Sequence, residues 1–492
     1  MKRNTSKIFA LILALACVLM TLTACGGPGG SNTKYSAENP VKISLDEWVG
    51  WQSLLDANGG LTTAPDSLNA KNGVYVEYVV MNDATASSSA LISGELQGAG
   101  YTVNRYAFLQ EKFDQAGLAV QMPFITNFSN GGDGIIARSD IVSVNDLVGK
   151  KIAVPKFSEA QTLVEWLLNN SSLTEAQRSQ IRKNMVYFET PDDAAKAFFA
   201  GNVDAAATWE PYLTQAASST DSRILFDTSM STNLILDGVV FNKEFLENNS
   251  EFVVNWIDAA LQARGMYKVE FANIRELPMF ELMSDAEIID MANGANLATW
   301  TQNTKLLTDV AVTMYHDMAE VWKGLGETAY PDKAQNAFTD AYLIQLKDKY
   351  EGQEEEIVDS FATGDIGMII ESPDALLSYS ADIKFQLNSV NIQQESYAEL
   401  DEFVKVAKVL DGVYIQIEGN ASQRAEGVSE AQIIEFSRLR AQSIANYFVS
   451  KGIPEERIIV IGNGDQNPIN PATPAAAENR RTEIFFKTKV GY

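Results

Sequence analysis

The sequence predicts an α/β protein of more than one domain, and three observations point there. From Val41 onward, short apolar runs alternate with helical stretches of about ten residues, the pattern of parallel sheets joined by right-handed crossovers. The chain has 492 residues, 46% of them hydrophobic, enough for several cores. A second block of strands and helices opens near Ile383, after the acidic stretch "YEGQEEEI".

Taken in order, residues 8–22 form an apolar run of about 15 residues, short of the roughly 20 that cross a bilayer as a helix. Lys2, Arg3 and Lys7 precede it and small residues follow, so residues 1–24 read as a cleaved secretion signal. Next comes "LTACGGPGGSN". Residues 25–39 are rich in Gly, Ser and Pro and read as a flexible tether. Leu22-Thr23-Ala24-Cys25 resembles the lipobox of bacterial lipoproteins, which implies a lipid on Cys25 and an extracytoplasmic protein anchored to a membrane.

"VKISLDEW", "VYVEYVV", "GAGY", "LAVQMPFI" and "DGIIAR" read as strands, with the helix "ASSSALISGEL" between the second and third. "SVNDLVGKKIAVP" gives a helical turn, a tight turn at Gly149 and a strand starting near Lys151. "EAQTLVEWLLNN", "TEAQRSQIRKN" and "TPDDAAKAFFAG" are helices, the last with Thr190 as its N-cap, and "MVYFE", "VDAAAT", "RILFD" and "LILDGVVF" are strands. Residues 250–350 turn mostly helical. The "YEGQEEEI" run reads as a solvated helix face.

Composition excludes several function classes. The net charge of −26 becomes −29 once the three cations of the signal leave, a field that repels nucleic acid. Cys17 lies in the signal, so a processed chain holds no pair of thiols for a disulfide or a thiolate metal site. His316 is the one histidine, and no G-x-S-x-G motif accompanies it, so neither a Ser-His-Asp triad nor a zinc cluster is expected. No cofactor is expected.

In open α/β sheets, ligands bind beyond the carboxyl ends of strands, where strand order reverses. The distinctive residues fall at such ends: Trp48 and Trp51, Tyr101 and Thr102, the glycine-rich turn with Ser129, Asn130 and Asp133, the helix start Ser158-Glu159-Ala160, and Thr208-Trp209-Glu210. Each admits a structural alternative: tryptophans as core, glycines as turn, Glu210 as a helix-start residue. Lys156 and Arg105 are candidate cations for an oxyanion at a helix N-terminus. Against them stand Asp133, Glu159 and Glu210, which together with the aromatics favour a nitrogen-containing organic solute over a bare oxyanion.

"VKISLDEWVGW", "LISGELQGAGY", "SNGGDGIIAR", "DLVGKKIAVP", "AAKAFFAGNVDAAATWEPYL" and "VVFNKEFLENNSEFVVNWIDAAL" stand in the order seen in the taurine/nitrate/sulfonate-type substrate-binding proteins of ABC importers, and the chain from 40 to 350 resembles that family. The resemblance implies a bilobal periplasmic-binding-protein fold with two parallel-sheet lobes and a hinge. Lobe 1 would take about 40–138 plus the returning helices 250–350, and lobe 2 about 139–249. Solute would bind between them for delivery to a permease.

After a linker at 351–380, residues 381–492 look like the OmpA-like domain that binds peptidoglycan, chiefly through "FSRLRAQSI" and "NRRTEI". The resemblance assigns Ser422, Arg440, Asn479 and Arg481 to the wall site, with Arg440 clamping a carboxylate through its planar fork. Arg480 and Arg481 are neighbours on a strand and face opposite ways, so one of them serves. Ser422 stands where the family carries Asp and Ile433 where it carries Asn, leaving the ligand's ammonium without its usual partner unless Glu426 or Asp465 replaces it. The other readings are a retained scaffold that binds another glycan or docks on the first module, an enzyme of the same bilobal fold akin to pyrimidine-precursor synthases, and a wall tether or sensor that transports nothing.

Overall fold

The computed structural model describes residues 35–264, 271–352, 366–372, 374–386 and 388–488. The expected secretion signal, Cys25 and most of the expected tether lie outside these residues, as do residues 353–365 of the expected linker. Residues 1–40 form a unit apart from 41–492. Within its described part, Ser36 and Asn39 exchange backbone hydrogen bonds of 3.0 and 3.1 Å.

The chain lays down β1 (Val41–Leu45), β2 (Val76–Val80), β3 (Gly98–Thr102), β4 (Val120–Gln121) and β5 (Ile125–Ser129), then leaves for a second sheet. That sheet holds β6 (Asp133–Arg138), β7 (Ile152–Pro155), β8 (Met185–Phe188), β9 (Ala205–Trp209) and β10 (Ser222–Asp227). The chain then returns to the first sheet with β11 (Leu236–Asn242) and β12 (Ala295–Leu297). The strand orders are β12-β5-β11-β3-β1-β2, with β4 pairing β11, and β10-β6-β9-β7-β8. This is a periplasmic-binding-protein-like α/β fold. The sheets exchange strands at residues 130–132 and 228–235, ahead of the divisions at 138 and 249 that the sequence suggests.

Parallel pairing joins β1 to β2 and β3, and β7 to β8 and β9, as strands separated by helices require. Antiparallel pairs complete both sheets, which are therefore mixed. β11 runs antiparallel to β3 and β5, β12 to β5, and β6 to both β9 and β10. A strand that arrives from the other sheet enters from the opposite end, and its direction reverses.

Glycine shapes the first core. Gly98 and Gly100 share one face of β3. A Cβ at Gly98 would lie 2.8 Å from Phe241 Cε1, and one at Gly100 would lie 3.0 Å from Trp51 Cζ2. The missing side chains therefore admit two aromatic rings.

The principal helices of this region are α1 (Val103–Gln115), α2 (Glu159–Asn169), α3 (Pro191–Phe199), α4 (Ser250–Arg264) and α5 (Ala311–Gly324). Thr190 caps α3 by accepting from Asp193 N–H, as its sequence predicts. Trp256 on α4 is buried edge-on against Phe124 and Phe241, with Nε1 donating to Tyr78 Oη at 3.0 Å. Burying an aromatic of this size contributes about 2–3 kcal/mol. From its place beside α1, α5 also reaches α2, so it touches helices of both sheets.

A third sheet closes the chain: β13 (Leu377–Ala381), β14 (Tyr414–Asn420), β15 (Ile458–Gly464) and β16 (Thr482–Lys487), in the order β13-β16-β14-β15. Helices α6 (Tyr397–Val409) and α7 (Glu430–Ser450) accompany it, and α7 packs on β14 and β15. This module begins earlier than residue 381. β13 pairs along its whole length with β16, and Lys487 Nζ donates to the carbonyls of Ile369, Ile370 and Ser372 at 2.7–3.1 Å.

Candidate functional site

Two chain crossings meet between the first and second sheets. Thr228, fully buried, bonds through its hydroxyl to Ser129 Oγ at 2.7 Å and accepts from Gly131 N–H at 2.8 Å and Asp133 N–H at 3.3 Å. Ser129 Oγ also donates to Asp133 Oδ2 at 2.7 Å. Gly132 is obligatory here, because a Cβ would lie 2.6 Å from Gly294 O and 3.1 Å from Trp48 Cη2. Asn130 N–H donates to Gly294 O at 2.9 Å, fixing the same turn.

Charge converges on this point from both sheets. Arg105 on α1 donates to Glu159 Oε2 at the start of α2 across 2.9 Å, with both side chains mostly buried. Asp46, just past β1, and Asp237 on β11 interact electrostatically with both groups. Burial pushes the Asp133 carboxyl up to about 7, with Glu159 adding to the rise. Burial and then the charges of Asp46, Asp133 and Glu159 hold Asp237 well above the usual carboxylate range. Asp46 is also raised, burial outweighing the Arg105 charge. Three carboxylates, Asp46, Glu159 and Asp237, thus face one guanidinium, and Asp133 adds a fourth buried acid beside Glu159 and Asp237.

The sequence names Trp48, Ser129, Asn130, Asp133 and Glu159 among these residues. It misses Asp46, Asn127, Thr228 and Asp237. A carboxylate inside the apolar run "LILDGVVF" is the signal that could have found Asp237.

Trp48 is partly exposed and donates from Nε1 to Asn127 Oδ1 at 2.9 Å. Trp51, 1% exposed, belongs to the core and not to a solute surface; its Nε1 donates to Asp46 Oδ1 at 2.7 Å and so positions that carboxylate. Tyr101 is likewise buried, its hydroxyl 2.8 Å from Ser87 Oγ. Thr102 and Ser158 are N-caps, accepting from Arg105 N–H at 3.0 Å and Gln161 N–H at 3.2 Å. Thr208 is buried and donates to Pro191 O. Trp209 donates to Asp192 Oδ1 at 3.0 Å, and Glu210 turns back to accept from Thr214 N–H and Oγ. The hydroxyls of Thr102, Ser158 and Thr208 satisfy backbone groups and Glu210 bonds Thr214; of this set only Tyr101 interacts with the Arg105 guanidinium.

Aromatic rings bridge the two sheets beside the charges. Phe157, just before α2, stacks on Phe108 of α1 with centroids 5.1 Å apart, and Trp322 of α5 lies 6.2 Å away. Phe157 holds φ = 57°, a left-handed conformation that costs a branched or bulky residue energy and persists only when its surroundings impose it. Lys156 Nζ sits 4.4 Å from the Phe157 ring centroid, bound to the aromatic surface.

In the C-terminal module, Arg440 lies between the rings of Phe385 and Phe436, 4.8 and 4.5 Å from their centroids, and donates from Nε to Ser389 O at 3.1 Å. Burial lowers its pKa, and the nearby Arg480 charge lowers it further. Arg480 donates to Ser422 Oγ at 3.2 Å. Arg480, not Arg481, therefore shares a neighbourhood with Arg440 and Ser422. Arg481 instead pairs with Glu483 at 3.0 Å and donates to Asn467 O. Asn479 is fully buried, its amide bonded to Asn470, Thr473 and Pro474, and it organises the loop rather than facing a ligand. Asp465 is held by Arg424 at 3.3 Å.

Among the described residues, no group of His, Cys, Asp and Glu is arranged to hold a metal ion, and no helix is long and apolar enough to cross a membrane. His316 is an exposed α5 residue beside Asp317.

Comparison with known proteins finds two family models. Residues 69–267 match the NMT1/THI5 like family, and residues 384–482 match the OmpA family. Outer membrane protein A of Bordetella avium is 34% identical over 112 residues, 22% of this chain and 56% of that protein. The taurine-binding periplasmic protein of Escherichia coli is 22% identical over 276 residues, 54% of this chain and 82% of that protein. The chain thus spans little more than half of the Bordetella protein and 33% of Haemophilus influenzae outer membrane protein P5. Among solved structures, the periplasmic aliphatic sulphonate binding protein of Escherichia coli aligns over 62% of this chain and 99% of its own, at 17% identity and a TM-score of 0.49.

Proposed function

We propose that this chain, which carries an NMT1/THI5-like domain followed by an OmpA domain, captures a small nitrogen-bearing solute between its first two sheets and delivers it to an ABC permease. The observation that carries the solute class is the set of three carboxylates, Asp46, Glu159 and Asp237, facing Arg105, with buried Asp133 beside Glu159 and Asp237. A sulfonate or nitrate entering there would find the one guanidinium already paired with Glu159, and its charge would oppose ionisation of the neighbouring buried carboxyls. An ammonium or amidinium finds acceptors that burial has left reluctant to ionise, and its charge restores their ionised form. Trp48 and the Phe108–Phe157 stack supply aromatic faces suited to such cations. The Escherichia coli relative is named for taurine, which supports solute binding at this cleft without fixing the class.

We read the chain as a binding protein rather than an enzyme, since the hydroxyl–carboxylate pair of Ser129 and Asp133 is buried and committed with Thr228 to holding the strand crossing. Lipid on Cys25 would hold it outside the cytoplasm at a membrane, and the OmpA domain would associate with peptidoglycan through Arg440, Arg480 and Ser422. Two anchors in one chain keep the cleft close to its permease.

The test is calorimetric titration of the full chain, purified in detergent, with tryptamine, benzamidine and ethanesulfonate. Binding of either cation, and of no sulfonate, is expected. A chain that binds ethanesulfonate and neither cation overturns the solute class. Native mass spectrometry of the same preparation names any small molecule that co-purifies.

A further inference from the structure

The C-terminal module grips the crossing that joins the first two sheets. Residues 408–412, the turn between α6 and β14, lie against residues 230–233, the crossing between β10 and β11. Thr232 donates to both oxygens of Asp411, from N–H at 2.9 Å and from Oγ1 at 2.6 Å. Asn233 Nδ2 reaches Asp411 Oδ2 at 3.3 Å and Lys408 O at 3.2 Å. Ser231, fully buried, donates from Oγ to Val409 O at 2.6 Å, and Gly412 N–H donates to Met230 O at 3.0 Å. Gly412 comes so close that a Cβ there would lie 2.0 Å from Ser229 O, so only glycine lets the two backbones meet.

These contacts fall on a segment with a second duty. Two residues before Met230, Thr228 ties this crossing to the other one through Ser129, Gly131 and Asp133. Any rotation of the second sheet against the first must change the backbone at residues 130–132 and 228–235, because they are the connections between the sheets. A turn that fixes residues 230–233 by six hydrogen bonds restrains that rotation. The module is also braced on the second sheet's side. Asp374 pairs with Arg223 of β10 at 3.0 Å, Leu376 O accepts from Val144 N–H at 3.3 Å, and Tyr379 donates from its hydroxyl to Asn170 O.

The gripped state has its lobes drawn together. Arg105 reaches Glu159, Asn104 Nδ2 reaches Thr162 Oγ1 at 2.8 Å, and Phe108 stacks on Phe157. We infer that the C-terminal module is a clamp on the hinge, which holds the lobes in this closed arrangement and thereby sets how tightly the cleft retains its solute. The far end of the clamp is the wall site. β14 starts two residues past Gly412 and runs to Asn420, with Ser422 just beyond, a straight path of about 30 Å at the usual rise of a strand. Load on the wall end of that strand is transmitted to the turn that grips the hinge. By reciprocity, whatever loosens the grip also loosens closure.

This inference rests on the reading that the lobes close around a solute, and its test needs no solute. Hydrogen–deuterium exchange is followed by mass spectrometry on the full chain in detergent, comparing the wild type with Gly412→Val and with Thr232→Val. Gly412→Val wedges the turn off the crossing; Thr232→Val removes one donor and keeps the shape. The expected result is exchange at least tenfold faster in peptides covering residues 129–133, which the turn does not touch, in Gly412→Val, and a smaller rise in Thr232→Val. If only residues 230–233 speed up while 129–133 keep the wild-type rate in both variants, the module is a passive neighbour and the inference fails. Should Gly412→Val not fold, Thr232→Val decides by the same criterion. A chain that passes this test yet binds no cation would lose the solute class and keep the clamp.

Discussion

Arg105 donates to Glu159 across 2.9 Å, and this bond ties helix α1 of one sheet to the first turn of α2 on the other. The guanidinium also faces Asp46 and Asp237, and its own pKa is raised chiefly by Glu159 and then by those two. Arg105→Met removes the cation and keeps most of the stem. The three carboxylates then repel one another in a poorly solvated place. The expected loss is about 1–3 kcal/mol at pH 8, and less at pH 5, where the raised Asp46 and Asp237 are more fully protonated. Thermal unfolding at the two pH values checks it; equal losses would contradict the electrostatic account.

Asp133 gives a second expectation. Its folded-state pKa of about 7 stands above the ordinary 3.8. Between about pH 4 and 7 the folded chain therefore keeps a proton that the unfolded chain has released, and stability falls as pH rises through that window. Asp46, Asp227, Asp237 and Glu210 are raised as well and push the same way. Asp133→Asn should flatten part of the slope. Denaturant midpoints at pH 4.5, 6 and 7.5 measure it, and a variant with the full wild-type slope would be inconsistent with a buried, protonated Asp133.

The two neighbouring tryptophans should separate cleanly. Trp51→Ala opens a cavity under Gly100 and leaves Asp46 without its donor, so it should cost about 3–5 kcal/mol in denaturant unfolding. Trp48→Ala should leave the midpoint nearly unchanged and weaken tryptamine binding about tenfold or more. The reverse pattern would move Trp51 into the site.

On isolated sacculi, Arg440→Ala and Arg480→Ala should each reduce pull-down severalfold. Arg481→Ala should lower the unfolding midpoint through loss of its Glu483 and Asn467 partners, with retention on sacculi intact. Equal retention of all three variants would argue for a scaffold that no longer holds the wall.

Much of the fold is legible in the chain because its signals are local. Apolar runs such as "VYVEYVV" become β2, and hydroxyl caps such as Thr190 and Ser158 open the helices they should open. Strand direction is not legible, since β6 and β11 look like any other strand until the crossings at 130–132 and 228–235 set their sense. The same holds for the site. Asp46 and Asp237 lie 191 positions apart in sequence and come together only because β1 and β11 flank β3. Trp48 and Trp51 differ in fate through one short turn, Val49–Trp51, which carries the second ring inward. The turn at residues 408–412 that meets residues 230–233 has no periodicity to announce it.

The order β13-β16-β14-β15 puts the last strand made into the middle of its sheet. As the polypeptide is synthesised, β13 has no partner until roughly a hundred further residues have emerged, and β14 and β15 wait as a pair with one edge open. A stop codon that removes only residues 482–492 would therefore split this sheet in two instead of trimming its margin. Proteases would meet a molecule whose first two sheets are finished and whose third is left as a strand and a separate pair.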